Sequence, residues 1–375
     1  MSIPFIDLAA QQKRLRGDIE ARLKAVLDHG GYIMGREVAE LEAVFCDRLQ
    51  VKHTITCSSG TDALILGLLG LGVRPGDGVI VPSFTFAASA EAIAVLGAAP
   101  VFAEVEETSF NMDIERLDDA LNAGHKAGLN MVGIIPVGLF GQPAALDKIT
   151  AFAAANGLWV MDDAAQSFGA ELSGRAVGTF GAATATSFFP AKPLGCYGDG
   201  GALFTDDDQL ADIARSARIH GQGRDKYENE RVGMTARLDT MQAAVLLAKL
   251  SIFDEEMTHR QQAADRYAER LAASGVSVPA LSADATSSWA QYVIRLPEGS
   301  DRQAVQDKMK ADGVPTAVYY PRPMHTQPPY ARYPVAQGGL GVTEALAGDV
   351  LALPMHPYLD AATQDKVAEA LKKAL

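Results

Sequence analysis

Residues 186–201 read TSFFPAKPLGCYGDGG, and the one cation in this stretch, Lys192, lies between an apolar run and a glycine-rich turn. Lysine is rarely buried without a partner, yet the nearest acidic residue in the sequence is Asp199. A desolvated lysine has a lowered pKa, and its neutral amine is then a nucleophile that can form a Schiff base. The alternative is a lysine at the end of a strand whose ammonium group reaches water. The stretch by itself leaves both interpretations open.

The composition of the 375-residue chain is that of a globular protein, with 48% hydrophobic and 21% charged residues. The net charge of −13 disfavours nucleic acid and anionic membranes as partners, because phosphate neutralisation requires clustered Lys and Arg. No apolar signal segment and no stretch long enough to span a bilayer is found in the sequence. The three cysteines lack metal-ligand spacing, and their sparse, odd number indicates a reducing compartment. We therefore predict a cytoplasmic protein without a metal site.

Apolar, strand-like runs alternate with helix-like stretches over the first two thirds of the chain. This alternation predicts an α/β fold with a large, mostly parallel sheet that helices cover on both faces. Residues 240–274 are predicted to form one long amphipathic helix. Beyond it, residues 287–296 and 315–321 are strand-like and alternate with helical stretches, which indicates a smaller α+β domain. We predict a large domain over residues 1–245 and a small C-terminal domain over residues 246–375.

Four stretches fall at the ends of predicted strands, where ligands bind in an open parallel sheet. Residues 59–62 (SGTD) lead into a helix, whose N-terminus binds anions, although an ordinary N-cap explains the pattern equally well. Residues 83–86 (SFTF) place aromatic rings that are typical both of a core and of a stacking platform. Asp162 and Asp163 follow an apolar strand directly, and a helix cap would explain only one of these two carboxylates. The fourth stretch is the one that contains Lys192.

Together the four stretches match a single ligand that carries a phosphate, an aromatic ring, a ring nitrogen and an aldehyde. Pyridoxal 5′-phosphate has all four groups, and it is bound through a lysine Schiff base and an acidic partner of its nitrogen. Motifs of P-loop proteins, HExxH metalloproteases and paired CxxC sites are absent from the sequence. A GxG within residues 67–77 lacks the third glycine and follows a helix, so a dinucleotide-dependent dehydrogenase is the weaker alternative.

The chain resembles, nearly from end to end, the DegT-type nucleotide-sugar aminotransferases, which are fold-type I pyridoxal phosphate enzymes. The specific motifs are SFFPAKPLGCYGDGG and DDAAQSFGA, whereas the helical stretches are not specific. The other matching stretches are FIDLAAQQ, YIMGREVAELE, SSGTDAL, PSFTFAASAEAI, ARLDTMQAA, YYPRPMHTQP and LALPMHPYL. The resemblance implies a homodimer with shared active sites, in which residues 231–242 reach the neighbouring subunit.

The resemblance also implies roles for individual residues. Lys192 would bind the cofactor aldehyde as a Schiff base and act in catalysis, and Asp163 would pair with the ring nitrogen. The other cofactor contacts would be Gly60, Thr61 and Ser187 at the phosphate, Phe86 on the ring face, Gln166 at the ring hydroxyl and Thr235 at the neighbour's phosphate. The substrate contacts would be Arg237, Tyr319, Tyr320 and His325.

Three positions depart from the family pattern. Thr235 stands where the family usually has an asparagine, and its side chain has a shorter reach. Gly138 stands where relatives often have histidine or serine, which removes a polar group near the cofactor. Tyr319 stands where similar family members have a histidine before Tyr320, which changes part of the expected sugar pocket.

The activity implied by the resemblance is transfer of an amino group, from glutamate, to the keto carbon of a nucleotide-linked keto sugar for surface polysaccharide such as lipopolysaccharide. The nearest resemblance is to members that aminate UDP-2-acetamido-2-deoxy-3-oxo-glucuronate, and an arginine such as Arg237 can bind a sugar carboxylate with two parallel hydrogen bonds. A dTDP-3-keto-6-deoxyhexose is the alternative acceptor. An alternative of another class is a sensor that binds pyridoxal phosphate without turnover. The joint presence of Lys192, Asp163 and Gln166 favours the enzyme.

Overall fold

The computed structural model describes residues 3–225 and 227–375. The α-helices of this part are α1 (Leu8–His29), α2 (Arg36–Leu49), α3 (Gly60–Gly70), α4 (Ala87–Val95), α5 (Leu117–Lys126), α6 (Leu146–Ala155), α7 (Asp208–Ala217), α8 (Thr240–Leu250), α9 (Phe253–Leu271), α10 (Arg302–Ala311), α11 (Gly341–Asp349) and α12 (Ala361–Ala374). The strands are β1 (His53–Cys57), β2 (Asp77–Pro82), β3 (Ala99–Ala103), β4 (Asn130–Ile134), β5 (Trp159–Asp163), β6 (Glu171–Leu172), β7 (Arg175–Ala176), β8 (Ala183–Ser187), β9 (Gly201–Thr205), β10 (Tyr292–Arg295) and β11 (Val350–Leu353). Within the described ranges, each helix is too short or too polar to cross a bilayer.

The main sheet has the strand order β1-β9-β8-β5-β4-β2-β3. Only β9 runs against its neighbours β1 and β8 in this described sheet, and the other pairs are parallel. Successive side chains of a strand point to opposite faces of the sheet. In β9, Leu203 lies near Gly67 of α3, whereas the centroid of the Phe204 ring lies 5.8 Å from that of Phe45 in α2. Because helices cover both faces, the strands are buried along nearly their whole length, as at every residue of β2 and β9. The predicted α/β fold with a mostly parallel sheet is confirmed.

A second apolar cluster lies around the antiparallel pair β10–β11, which α9, α10 and α12 cover. Its core includes Tyr267, Tyr292, Met309 and Leu371, all at most 1% exposed. This part has the α+β character expected of the smaller C-terminal region. The division at residue 245 stays a prediction, and that residue lies inside α8.

The prediction of one long helix over residues 240–274 is wrong, because the structure contains α8 and α9 with a break between them. Ile252 leaves the helical region of backbone angles (φ −119°, ψ 2°), and the Ser251 hydroxyl donates to the Ala248 carbonyl at 2.7 Å. A serine that bonds a nearby backbone carbonyl competes with the regular helix. The break turns Ile252 into the apolar cluster of α1 and α8. Packing therefore divides a stretch whose periodicity looks continuous.

The strand predicted over residues 315–321 is also wrong in extent. Only Ala317 pairs in strand fashion, exchanging two backbone hydrogen bonds of 3.2 and 2.8 Å with Ala352 of β11. Prolines at both ends of this stretch cannot donate to a ladder. Beyond Ala317 the chain turns, and Tyr319 and Tyr320 reach the cavity described next.

Candidate active site

A cavity of about 460 Å³ opens at the carboxyl ends of β1, β2, β5 and β8. Parallel sheets bind ligands at this edge. The predicted site residues that line the cavity are Gly60, Thr61, Phe86, Asp163, Gln166, Ser187, Lys192, Tyr319 and Tyr320. The fold thus brings together the four stretches that the sequence analysis selected and adds the two tyrosines from the C-terminal part.

Lys192 lies on a closed loop that follows β8. At the base of this loop the backbone N–H of Cys196 donates to the Phe188 carbonyl at 2.8 Å. Within the loop the backbone N–H of Lys192 donates to the Phe189 carbonyl, also at 2.8 Å. Burial lowers the pKa of Lys192 to about 8, and the Asp163 carboxylate opposes this shift. Burial therefore favours the neutral amine at this position. This environment favours the nucleophile over a lysine that merely reaches water.

Asp163 ends β5 and is only 4% exposed. Its Oδ2 accepts a hydrogen bond of 2.7 Å from the Ser89 hydroxyl, and its Oδ1 accepts one of 3.1 Å from the Ala165 N–H. Burial raises the pKa of Asp163, whereas these two bonds and the charge of Lys192 act in the opposite direction. The two hydrogen bonds fix the carboxylate at the cavity wall, where a cationic ligand group would stabilise its charge.

Asp162 precedes Asp163 in β5, so the Asp162 side chain points to the opposite face of the sheet. It lies in register with Thr184 of β8 and is 1% exposed. Burial, followed by repulsion from Asp163, raises the pKa of Asp162 to about 8. Neither carboxylate oxygen has a hydrogen-bond partner among the residues that the structure describes. Burial thus favours the neutral form of Asp162, and of these two adjacent aspartates it is Asp163 that lines the cavity.

Gln166 is fixed at both ends of its amide. Its Oε1 accepts from the Phe140 N–H at 2.6 Å, and its Nε2 donates to the Tyr320 hydroxyl at 3.2 Å. The Tyr320 ring lies with its centroid 6.1 Å from that of Phe86, whose side chain is 57% exposed. One wall of the cavity is therefore aromatic, and one ring face remains open to a ligand.

The opposite end of the cavity is the N-terminus of α3. The Ser59 hydroxyl caps this helix by accepting from the Asp62 N–H at 3.0 Å. A Cβ atom at Gly60 would lie 2.6 Å from the Cβ of Ser187, so glycine is required for the start of α3 to approach β8 this closely. The first N–H groups of the helix, its dipole and the Ser187 hydroxyl are together suited to bind an anion.

Three predicted site residues lie away from this cavity. Thr235 is exposed, and its hydroxyl lies 2.7 Å from Nε2 of His220. Arg237 is half-buried, and its Nε has no hydrogen-bond partner within the described part of the chain. His325 contacts the Ser83 hydroxyl through Nδ1 at 2.8 Å and the Glu344 carboxylate through Nε2 at 3.2 Å. The roles of these residues stay predictions.

Ser89, Asp199 and Gln291 line the cavity and were not predicted as site residues. Ser89, in the first turn of α4, holds Asp163, and Gln291 lines the cavity from the start of β10. The only available signal for Gln291 was one amide in an otherwise apolar, strand-like run. Gly138, a departure from the family pattern, has a steric reason here. A Cβ at that position would lie 2.1 Å from the Ser167 hydroxyl oxygen.

The chain is similar to known proteins over nearly its whole length. The profile of the DegT/DnrJ/EryC1/StrS aminotransferase family matches residues 13–372. The chain is 46% identical to the UDP-2-acetamido-2-deoxy-3-oxo-D-glucuronate aminotransferase of Pseudomonas aeruginosa, over 98% of this chain and 99% of that protein. It is 37% identical to a dTDP-3-amino-3,4,6-trideoxy-alpha-D-glucose transaminase of Streptomyces venezuelae, over 99% and 96% of the two chains. A crystal structure of a DegT/DnrJ/EryC1/StrS aminotransferase from Brucella abortus superimposes with a TM-score of 0.96, at 48% identity and 99% coverage of both chains.

Proposed function

This chain belongs to the DegT/DnrJ/EryC1/StrS aminotransferase family and is a pyridoxal phosphate-dependent nucleotide-sugar aminotransferase, and we propose that its acceptor is UDP-2-acetamido-2-deoxy-3-oxo-glucuronate. The observation that carries this proposal is the 46% identity, over nearly the whole length, to the Pseudomonas aeruginosa enzyme named for that sugar. Glutamate is the proposed donor. The predictions of an enzyme and of its cofactor are confirmed, so a sensor without turnover is no longer favoured.

The residues of the cavity fit the cofactor. In this proposal Lys192 would bond its aldehyde, Asp163 would hold the proton on its ring nitrogen, and the start of α3 with Ser187 would bind its phosphate. The close approach at Gly60 supports this placement, because a Cβ there would collide with Ser187 and move the helix N–H groups away from its hydroxyl. Phe86 offers an open ring face, and Gln166 lies at the same wall.

The bound cofactor supplies an electron-withdrawing ring and an aldehyde that accepts an amino group. The protein's part in the reaction is positioning and proton transfer. Lys192 would hold the aldehyde and, when its amine is free, would take up and return the proton of the donor's α-carbon. Its lowered pKa of about 8 suits a base at neutral pH. Asp163 keeps the ring nitrogen protonated through its charge, and Ser89 holds that carboxylate in place.

The proposed acceptor is an acidic sugar, which requires a cation in its pocket. Arg237 can supply it, because its guanidinium matches a carboxylate with two parallel bonds and its Nε has no partner among the described residues. An arginine that serves a sugar hydroxyl or a subunit interface is the alternative. The neutral dTDP-3-keto-6-deoxyhexose is therefore the second candidate acceptor, supported by the Streptomyces venezuelae relative.

The acceptor can be tested by running the reaction backwards. The UDP-linked 3-amino uronic acid and a dTDP-3-amino-deoxyhexose are each offered with 2-oxoglutarate, and glutamate is measured. Because a lost Arg–carboxylate pair costs a few kcal/mol when buried, we expect kcat/KM to favour the uronic acid by about a hundredfold. Arg237→Gln should reduce this preference while sparing the dTDP sugar. Equal rates, or a preference for the dTDP sugar, would contradict the proposed acceptor and leave the aminotransferase intact.

We also propose a homodimer in which residues 231–242 complete the neighbour's site. Exposed apolar side chains, which are typical of a subunit interface, support the dimer. Tyr32, Ile33 and Phe189 are each about half exposed, at 49%, 49% and 51%. The first two lie beside the segment, because Ile33 pairs with Asp239 and the Tyr32 carbonyl accepts from the Thr240 N–H. We infer cytoplasmic sugar chemistry for surface polysaccharide such as lipopolysaccharide, and the three free cysteines suit a reducing compartment.

Mixing two inactive variants tests the shared site. Lys192→Ala and Arg237→Ala homodimers should each be inactive on the uronic acid, whereas a heterodimer would contain one site with both residues intact. With random exchange of subunits we expect about a quarter of the wild-type activity, since half of the dimers are mixed and each has one intact site. Subunit exchange is confirmed by mass spectrometry of differently tagged chains. No recovery after confirmed exchange would place Arg237 in its own subunit's site or outside any site.

A further inference from the structure

A second lysine, Lys249 of α8, lies behind the loop that carries Lys192. It is 1% exposed, and its Nζ donates a hydrogen bond of 2.5 Å to the Gly195 carbonyl. The same ammonium group lies 4.4 Å from the ring centroid of Tyr197. The lysine therefore contacts one residue of the Lys192 loop and one residue just beyond it, and neither of these lines the cavity.

Burial of a lysine is costly, so its surroundings must compensate the charge. Burial lowers the pKa of Lys249 to about 8, while the carboxylate of Glu256, which is 2% exposed, opposes this shift. Glu256 is itself held by the Gln11 amide, at 2.8 and 3.1 Å, and by the Tyr358 hydroxyl at 2.5 Å. Buried polar side chains of α1 and the C-terminal part thus hold the Glu256 carboxylate of α9, which stabilises the Lys249 ammonium group. This ammonium group in turn contacts the loop.

The shape of the loop makes this contact consequential for Lys192. The loop closes between Phe188 and Cys196, and Gly195 lies next to that closure. A Cβ at Gly195 would lie 2.5 Å from the Pro190 carbonyl oxygen, so the two sides of the loop are in direct contact. A shift of Gly195 therefore moves the side that carries Lys192. Moving a catalytic group by about 1 Å can lower the reaction rate roughly a hundredfold.

We propose that Lys249 is a positioning residue for Lys192, acting through its charged hydrogen bond to the Gly195 carbonyl. Simple packing does not require an ammonium group here, because an apolar side chain of the same length would fill the space between α8 and the loop. A charged donor instead gives the carbonyl a strong and directional partner. The proposal rests on the proposed role of Lys192 and is independent of the identity of the sugar.

Lys249→Met tests this proposal, because methionine keeps most of the length and removes the donor. We expect kcat to fall about tenfold to a hundredfold, with the KM values for donor and acceptor changed less than about threefold. The visible circular dichroism of the cofactor bound to Lys192 should change in amplitude, since it reports the orientation of that adduct. The melting temperature should fall, because the Gly195 carbonyl and the Glu256 carboxylate lose the buried cation that interacts with them, so kcat and the dichroism are measured well below the transition.

Two further variants keep the outcome interpretable. Lys249→Gln keeps a neutral donor and should lie between wild type and Lys249→Met; if the methionine variant fails to fold, the glutamine variant decides on the same measurements. Val245→Ala, which removes packing between α8 and α1, should lower the melting temperature and leave kcat and the dichroism unchanged. Wild-type kcat and dichroism in Lys249→Met, or an equal loss in Val245→Ala, would overturn the proposal. An active Lys192→Ala would instead refute the role of Lys192 itself.

Discussion

Replacing Lys192 by alanine is expected to lower the rate of amino transfer by at least about ten-thousandfold, because one side chain supplies both the nucleophile and the proton-transferring base. The fold should persist, since alanine removes only the half-buried side chain of a loop residue. Amino transfer is measured as glutamate formation. Borohydride reduction of the wild-type holoenzyme, followed by peptide mass spectrometry, should place the cofactor on Lys192.

Lys249 is an internal control in that labelling experiment. Burial lowers the pKa of both lysines to about 8, so nucleophilicity alone would not distinguish them. Only Lys192 lines the 460 Å³ cavity. Label on Lys249, or a folded Lys192→Ala variant with normal turnover, would show that the catalytic lysine is assigned wrongly. Circular dichroism in the far ultraviolet checks that the variant is folded.

Asp163→Asn is expected to bind the cofactor and lose most of its turnover. A neutral amide cannot hold the proton on the ring nitrogen, whose pKa a nearby carboxylate raises by about 1–3 units, or about 1.4–4 kcal/mol. That range corresponds to a roughly ten- to thousandfold lower kcat. The dipole of α3 stabilises a nearby charge by only about 0.3–1 kcal/mol and therefore does not compensate for the loss of the carboxylate. Near wild-type kcat would mean that another group pairs with the nitrogen.

Asp162→Asn is the matched control, one residue away. Burial favours the neutral form of Asp162, whose side chain faces the other side of the sheet, so we expect kcat to stay near the wild-type value. Its folded pKa of about 8 lies above its unfolded value of about 3.9, so wild-type stability falls as pH rises between these values. The melting temperature of the asparagine variant should therefore decline less from pH 5 to pH 8. Equal losses of activity in both variants would remove the distinction between the two aspartates.

The fold class, the family and the cofactor could all be predicted from the amino-acid sequence. Apolar strands that alternate with helices require a mostly parallel sheet, and the ends of such strands meet at one edge. A desolvated lysine at 192, paired aspartates after one strand and a capped helix start at residue 59 were therefore expected to meet. Each of these signals is local in the chain, which is why one sequence was sufficient to find it.

The tertiary structure alone decided features that depend on distant partners. The pleat of β5 turns Asp163 to the cavity and Asp162 away from it, although the two residues look equivalent in the sequence. The break between α8 and α9 arises because Ile252 packs on α1, more than two hundred residues earlier in the chain. In the sequence Lys249 cannot be distinguished from other lysines of predicted helices. In the structure its ammonium group donates to the Gly195 carbonyl. Local pattern fixes which faces are apolar, but only packing determines which polar atoms come within hydrogen-bond distance.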